Sequence, residues 1–161
     1  MRKETVQKVL KWAAVALAAV VALMQFIRPA LTNPPVDQTR TIQARMQVSG
    51  EVSAILDRSC NDCHSYQTRW PWYSHVAPIS WFVVGHVNDG RDDLNFSDWA
   101  RYSQSEQQHF LKKMCGEVKA GEMPLNSYLW LHRDAKLSSE DVKTLCDWAA
   151  AESERMSQST K

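Results

Sequence analysis

The chain has almost no net charge and lacks the basic surface that nucleic-acid-binding proteins carry. Its 161 residues include 19 basic and 18 acidic side chains, which gives a formal charge of +1. The basic excess is confined to the first 28 residues, and the remaining 14 basic and 17 acidic residues leave −3. We therefore expect no nucleic-acid partner, and the acidic excess is too small to predict a basic protein partner.

The chain also lacks the patterns of several common chemistries. It has no paired carboxylates, no nucleophile triad and no phosphate-binding glycine loop, so hydrolysis and phosphoryl transfer are not indicated. No segment alternates apolar and polar residues as a half-buried strand does, which predicts an all-α fold. Cysteine is scarce, with four residues, and their placement is informative.

Two of the cysteines belong to the run Cys60-Asn61-Asp62-Cys63-His64. Thiols at this spacing can add to the two vinyl groups of one haem, and a histidine directly after the second thiol can ligate the iron. A zinc site would need two more nearby ligands, and a thioredoxin-like redox pair would need a βαβ setting. Neither context is visible, so the run predicts one covalent haem c held by Cys60, Cys63 and His64, and a chance structural pair is the remaining alternative.

The N-terminus has the layout of an export signal, with basic residues in 1–11 followed by an apolar stretch from Trp12 to Ile27 that only Gln25 interrupts. Sixteen residues rise about 24 Å as a helix, which is short for a ~30 Å hydrocarbon core but usable with snorkelling basic side chains. No small-residue cleavage site follows, so residues 1–28 predict an uncleaved transmembrane anchor in preference to a removed signal peptide. Because basic residues stay inside, we expect a single pass through the cytoplasmic (inner) membrane, with the C-terminal domain in the periplasm.

The rest of the chain divides into a linker, a helical domain and a short tail. Prolines and polar residues make 29–45 a linker, residues 46–157 the domain and 158–161 a polar tail. The first helix of the domain should run from about Met46 into Cys60, since apolar residues recur there at helical spacing. Two later helices are marked at their starts by Ser103 before Glu106 and by Ser138 before Asp141.

Aromatic residues are concentrated between positions 69 and 81. Prolines make residues 68–77 a loop, and Pro78 can occupy the first turn of a following helix. The prediction is that four of these side chains wall the haem and exclude water, although they fit an ordinary aromatic core as well. The four are Trp70, Trp72, Tyr73 and Trp81.

Met123 is the predicted distal ligand of the iron. It lies between two predicted helices and is followed by Pro124, which restricts its backbone. A thioether is a soft, neutral ligand that raises the reduction potential relative to a second histidine, whereas the alternative is a methionine that fills the core. Four histidines are rivals: His75, His86, His109 and His132. With neither Met123 nor any of these histidines bound, the iron would be five-coordinate, which favours a sensor or peroxidase-type enzyme.

The remaining cysteines, Cys115 and Cys146, each lie on the apolar stripe of a predicted helix. Two leftover thiols in an oxidising compartment favour a disulfide, and two buried free thiols are the alternative.

These runs resemble a bacterial family of small haem-binding domains anchored by one N-terminal helix. The similarity covers about residues 46–151 and rests on these runs: Cys60-x-x-Cys63-His64-Ser65, residues 68–74, Ala77-Pro78-x-Ser80-Trp81, residues 94–99, residues 121–125, Ser127-Tyr128 and Leu131-His132. It implies a monohaem c-type cytochrome with thioethers at Cys60 and Cys63 and with His64 as proximal ligand. The helix before the cysteines, the Met-Pro loop and the closing helix are also similar to class I cytochromes c, but the long aromatic segment departs from them.

Together these features predict an all-α, cytochrome c-like domain around one covalent haem, preceded by one transmembrane helix. The expected function is single-electron transfer, either between membrane redox proteins or as a subunit of a respiratory or photosynthetic electron-transfer complex. Membrane lipid would contact the N-terminal helix. An electron carrier is expected in preference to an enzyme, with the five-coordinate sensor or peroxidase as the alternative.

Overall fold

The computed structural model of the protein describes residues 2–158, and these form helices and contain no strand, which confirms the all-α prediction. The α-helices are α1 (Arg2–Met24), α2 (Ile42–Arg45), α3 (Gly50–Ser59), α4 (Asn61–His64), α5 (Ile79–Asp93), α6 (Gln104–Ala120), α7 (Asn126–Leu129) and α8 (Ser139–Gln158). Three short 3-10 helices lie at Trp72–His75, Phe96–Arg101 and Arg133–Ala135. Of the predicted polar tail, Gln158 ends α8 and residues 159–161 lie outside the described residues.

The chain forms two compact units. The first contains the residues up to 32 together with 69–86, and the second contains 33–68 together with the residues from 87 onward. This division differs from a single domain over 46–157, because the aromatic segment belongs to the unit that contains α1.

In the first unit, the segment of α1 from Lys3 to Met24 is long and apolar enough to cross a membrane, and none of the residues in its apolar window is buried. The end of α1 is hydrogen-bonded to residues 75–81 of the same unit. The aromatic segment, predicted as a loop over 68–77, contains the 3-10 helix Trp72–His75.

In the second unit, α6 and α8 pack along one another and α3 packs against α8. The apolar stripes predicted for these helices face inward, so that Leu111 and Leu145 are both fully buried. A disulfide joins Cys115 of α6 to Cys146 of α8, with Cα atoms 5.0 Å apart. It ties together the two longest helices of this unit.

The helix starts show where local sequence decides structure. Ser103 and Glu106 form the predicted capping box at the start of α6, and Gly121 ends that helix in the left-handed conformation with φ of 73°. The Ser138 hydroxyl and backbone N–H both bond to Asp141 at the start of α8. These contacts satisfy backbone groups that a helix end leaves unpaired.

The linker and the first helix of the domain are corrected by the structure. Ile42, placed in the predicted linker, begins α2 and is completely buried in the core, so the folded part of the chain begins before residue 46. The predicted helix from Met46 starts instead at Gly50, where the Ser49 hydroxyl accepts a hydrogen bond from the Val52 N–H. A local polar cap overrides the apolar spacing as the start signal.

Candidate haem-binding site

Cys60, Cys63 and His64 lie on one helical turn. Cys60 ends α3 and begins α4, and its carbonyl oxygen accepts hydrogen bonds from the N–H groups of Cys63 (3.2 Å) and His64 (2.9 Å). Residues at i, i+3 and i+4 share a helix face. The turn therefore groups two sulfur atoms and one imidazole, as a haem edge and its iron require.

The orientation of the His64 ring is set by two carbonyl groups near the end of α5. Its Nδ1 lies 2.9 Å from the Gly90 oxygen and 3.0 Å from the Leu94 oxygen. A carbonyl only accepts hydrogen bonds, so Nδ1 carries the proton and Nε2 keeps its lone pair for a metal. Burial lowers the pKa of His64, which further favours the neutral ring.

Gly90 allows α5 to approach this turn closely. A Cβ atom at position 90 would lie 2.8 Å from the carbonyl oxygen of Cys63 and 3.1 Å from its Cβ. Any other residue would push the helix away from the cysteine turn. Gly90 thus has two effects on the site. Its carbonyl group orients the His64 ring, and its lack of a side chain lets α5 pack close to the cysteine turn.

Beside this turn is a cleft of about 210 Å³. Cys60 and His64 line it, and so does Met123, whose peptide bond to Pro124 is cis. Most of the other lining residues are apolar: Leu94, Phe96, Phe110, Met114, Val118 and Pro124. The charged side chains that reach the cleft are Asp93, Lys113 and Glu117.

These residues fit a haem group. The histidine offers Nε2, the cysteine turn offers two sulfur atoms, and the apolar lining suits a porphyrin that must be kept from water. Two buried donors of the same unit, Asn95 Nδ2 and Trp99 Nε1, have no hydrogen-bond acceptor among the described residues. Neither of these residues lines the cleft, so the fit rests on the histidine, the cysteine turn and the apolar lining.

The alternative uses of the two cysteines find no support in the described residues. Burial raises the pKa of the Cys60 thiol to about 12 and that of Cys63 to about 11, whereas a thioredoxin-like pair needs a thiolate. Cys115 and Cys146 are joined to each other, and residues 2–158 contain no cluster of three or more metal-binding side chains of the His, Cys, Asp and Glu types. A zinc site is therefore not indicated.

The segment after Met123 is tied to the cysteine turn. The Tyr128 hydroxyl donates to the Asp62 carboxylate at 2.6 Å, and the Ser59 hydroxyl donates to the Ala135 carbonyl at 2.9 Å. The ring of His132 stacks on Tyr128 with centroids 4.1 Å apart. Two contacts therefore fix the segment after Met123 relative to the cysteine turn: one from Tyr128 in α7 and one from Ala135 in the 3-10 helix Arg133–Ala135.

Arg91 holds the backbone that follows His64. Its guanidinium donates to the Ser65 carbonyl (2.8 Å), to the Thr68 hydroxyl (2.9 Å) and to the Asn33 amide oxygen (2.8 Å). Three fixed donors on one planar group suit three separate acceptors, which a lysine could not match. Through these contacts Arg91 joins one backbone carbonyl and two side chains of the second unit.

The rival ligands and the aromatic residues are placed as follows. Within the second unit, His109 is exposed and His132 stacks on Tyr128, and neither lines the cleft. The other two histidines and the four predicted haem-wall residues belong to the first unit. That Trp70, Trp72, Tyr73 and Trp81 contact haem stays a prediction.

Sequence reasoning missed three contributors. Met114, a residue of α6, is buried in the core and also lines the cleft, so it is a second thioether near the site. Gly90 and Tyr128 act across long sequence separations, and nothing local to them marks that role. Gly90 could have been suspected as a glycine inside a helical pattern, where it is unfavourable without a packing reason.

Residues 19–151 match the family model described as "Haem-binding domain". Comparison with curated proteins finds no match, and comparison with solved structures finds none. The match spans most of the chain, from within α1 into α8, and it includes the cysteine turn and the cleft beside it. The chain belongs to the haem-binding domain family and is a haem protein.

Proposed function

We propose that the protein is a membrane-anchored monohaem c-type cytochrome that carries single electrons between redox partners on the periplasmic side of the cytoplasmic membrane. One observation carries the proposal: the His64 ring is hydrogen-bonded through Nδ1, so that Nε2 is free, and the same residue lines one apolar cleft with Cys60 and Met123. A neutral imidazole and a thioether are the axial pair of electron-transfer cytochromes.

Each residue has a defined role. The Cys60 and Cys63 thiols add across the two vinyl groups, with sulfur bonding to one vinyl carbon and the thiol hydrogen going to the other. His64 and Met123 supply the proximal and distal ligands. A haem held by these residues would supply the exchange of one electron between ferric and ferrous iron.

The surrounding side chains keep the site suited to this exchange. Phe96 and Phe110 exclude water from the cleft, and a dry setting with neutral ligands disfavours the additional charge of ferric haem. The Gly90 and Leu94 carbonyls hold the imidazole in one orientation and increase its basicity through Nδ1. The ligand set can then persist in both oxidation states.

The helix α1 supports the membrane part of the proposal. It is long and apolar enough to cross a membrane, and basic residues precede its apolar stretch. Basic flanks remain on the cytoplasmic side, so the haem unit would face the periplasm. A tether of this kind raises the effective concentration of the carrier near membrane partners, such as a respiratory or photosynthetic electron-transfer complex.

The distal ligand is tested by the optical spectrum of the purified full chain, with two matched variants. We expect low-spin oxidised and reduced spectra and a near-infrared sulfur–iron band that disappears in Met123→Leu. The control is Met114→Leu, which makes the same change of similar volume at the other cleft methionine and should keep the band. A band lost only in Met114→Leu would reassign the ligand, and a high-spin protein that binds carbon monoxide readily would overturn the electron-carrier proposal.

Covalent attachment is tested on the denatured protein. Haem should stay with the polypeptide after acid extraction with an organic solvent, and the intact mass should rise by one haem. In Cys60→Ser or Cys63→Ser one thioether remains and one vinyl group stays conjugated, so the α absorption band of the reduced pyridine complex should move to longer wavelength. Complete release of haem from the unaltered chain would contradict the c-type assignment.

A further inference from the structure

The end of the apolar helix α1 is hydrogen-bonded to the aromatic segment of its own unit. The Gln25 side chain donates to the Ala77 carbonyl (3.0 Å) and accepts from the Ala77 N–H (3.1 Å). Arg28 donates to the His75 carbonyl at 2.6 Å. The Trp81 indole N–H donates to the Ile27 carbonyl at 2.6 Å. These hydrogen bonds therefore hold residues 75–81 next to the C-terminal end of α1.

This segment exposes large apolar side chains. Trp72 is 77 % exposed, Phe82 56 % and Trp81 40 %. Ile79 and Phe82 lie three residues apart on one face of α5 and are both exposed. Two residues just after α1, Phe26 and Ile27, are exposed as well. The exposed apolar residues therefore lie within or beside the two segments, 25–28 and 75–81, that these hydrogen bonds join.

We propose that the aromatic segment, residues 72–82, is a membrane-interface element, in which Trp72, Trp81 and Phe82 enter the lipid headgroup region beside the end of α1. The occupant of this surface is phospholipid, because the surface is continuous with a helix whose own apolar side chains require lipid. The inference rests on the membrane anchoring in the proposed function. It assigns Trp72 and Trp81 to lipid in place of haem.

The chemistry of the segment agrees with this location. Tryptophan has an apolar body and a polar N–H, and such rings concentrate at membrane interfaces. The Trp81 N–H is already paired with a carbonyl of the anchor, so its ring can enter the apolar boundary without an unpaired donor. Arg28 provides a cation that can reach the headgroups from the same level.

The segment also compensates for an apolar stretch that is shorter than the hydrocarbon core of the membrane. The apolar stretch from Trp12 to Ile27 rises about 24 Å as a helix, against a hydrocarbon core of ~30 Å. An apolar shelf beside the end of α1 lets the bilayer thin locally around the protein without placing polar backbone in contact with the lipid chains.

The test uses the holo full chain, labelled with fluorotryptophan and reconstituted in lipid bicelles. Fluorine NMR lines are assigned by replacing one tryptophan at a time with phenylalanine, and the haem spectrum checks that each variant is folded. Line broadening is measured with a lipid that carries a nitroxide near the head of its acyl chain, and separately with a water-soluble gadolinium chelate. Trp12 in α1 reports insertion of the anchor, and Trp130, 78 % exposed in the second unit, is the matched exposed tryptophan.

We expect Trp72 and Trp81 to be broadened by the nitroxide lipid as Trp12 is, and several-fold less by the chelate than Trp130. Trp72 and Trp81 lines that respond as Trp130 does, with Trp12 still broadened by the lipid, would overturn the inference and leave the anchor intact. A Trp12 line unaffected by the lipid would overturn both the anchor and the inference. If Trp81→Phe does not fold, the Trp81 line cannot be assigned, and the broadening of the Trp72 line alone tests the inference.

Discussion

The hydroxyl of Tyr128 donates a hydrogen bond of 2.6 Å to the carboxylate of Asp62, which lies between the two cysteines of the candidate haem site. Tyr128 follows Met123 by five residues, so this bond connects the segments that carry the two proposed axial ligands. Hydrogen bonds to a charged group are stronger than those between neutral groups. The contact therefore fixes the distal segment relative to the proximal one.

Replacing Tyr128 with Phe should loosen the methionine segment while leaving haem attached. Removal of one charge-assisted bond at a half-buried site is worth about 1 kcal/mol, or about a fivefold change in an equilibrium. We expect exogenous imidazole to displace Met123 about fivefold more readily in Tyr128→Phe, as measured by spectral titration of the ferric protein. Tyr66→Phe makes the same chemical change at a hydroxyl with no hydrogen bond among the described residues, and equal affinities in the two variants would contradict the role of Tyr128.

Replacing Gly90 with Ala should displace α5 from the cysteine turn. The new Cβ would lie 2.8 Å from the Cys63 carbonyl oxygen, which is backbone and cannot move aside. We expect a loss of about 2 kcal/mol in unfolding free energy, measured by denaturant titration, together with a disturbed spectrum because the Gly90 carbonyl holds His64. The control is Gly85→Ala in the same helix, where a Cβ meets no described atom within 4 Å and should stabilise by up to about 1 kcal/mol.

Removal of the disulfide should weaken the second unit without changing the site. The bridge joins residues 31 apart in sequence, and chain-entropy arguments assign about 3 to 4 kcal/mol to a loop of this length. The double variant Cys115→Ser/Cys146→Ser should lose that much unfolding free energy and keep the same haem spectrum at 25 °C. The unaltered chain under a reductant should approach the stability of the variant, and two alkylatable thiols in the unfolded, unreduced chain would show that the bridge is absent.

The ion pair between Arg58 and Asp141 predicts a pH dependence. The Arg58 guanidinium, 2.7 Å away, and the Ser138 N–H lower the pKa of Asp141 from 3.8 to about 2. A lowered folded-state pKa stabilises the protein above pH 3.8, and this stabilisation is lost as the pH falls from about 4 to about 2. With allowance for solvent screening, Asp141→Asn should cost about 1 kcal/mol in unfolding free energy at pH 7.

The difference between Asp141→Asn and the unaltered chain should shrink steadily as the pH falls from about 4 to about 2 and disappear only below that range, as followed by thermal unfolding. Asp147→Asn is the matched control, since Asp147 pairs with Lys143 on the exposed surface of the same helix. Solvent screens an exposed ion pair so strongly that it contributes little to stability, and this control should change little. A pH-independent difference for Asp141→Asn would contradict the assignment.

Local patterns in the sequence predict part of this fold well. The serines before α6 and α8 mark helix starts because a hydroxyl three residues before a carboxylate satisfies backbone groups within one turn. The grouping of Cys60, Cys63 and His64 also follows from local spacing alone. Each of these features depends on residues less than five positions apart, and contacts at such short separations can be predicted from the sequence alone.

Features that depend on distant contacts could not be predicted in this way. Nothing near Gly90 or Leu94 in sequence shows that their carbonyls orient His64, because that contact requires the packing of α5 on the cysteine turn. Ile42 resembles a linker residue because prolines and polar residues surround it, yet tertiary burial decides its state. Met114 illustrates a further limit, since a residue on a helix stripe can serve the core and a cleft together.

The paired hydrogen bonds between the Gln25 amide and the Ala77 backbone bear on how the chain matures. A leader that a protease removes during export forms no part of the finished fold, whereas Gln25 satisfies both backbone groups of a residue 52 positions later. Cutting the chain after Arg28 would remove Gln25 and leave that N–H and that carbonyl without these partners. The proposed anchor, together with the residues that follow α1, would then also be a structural component of the first unit.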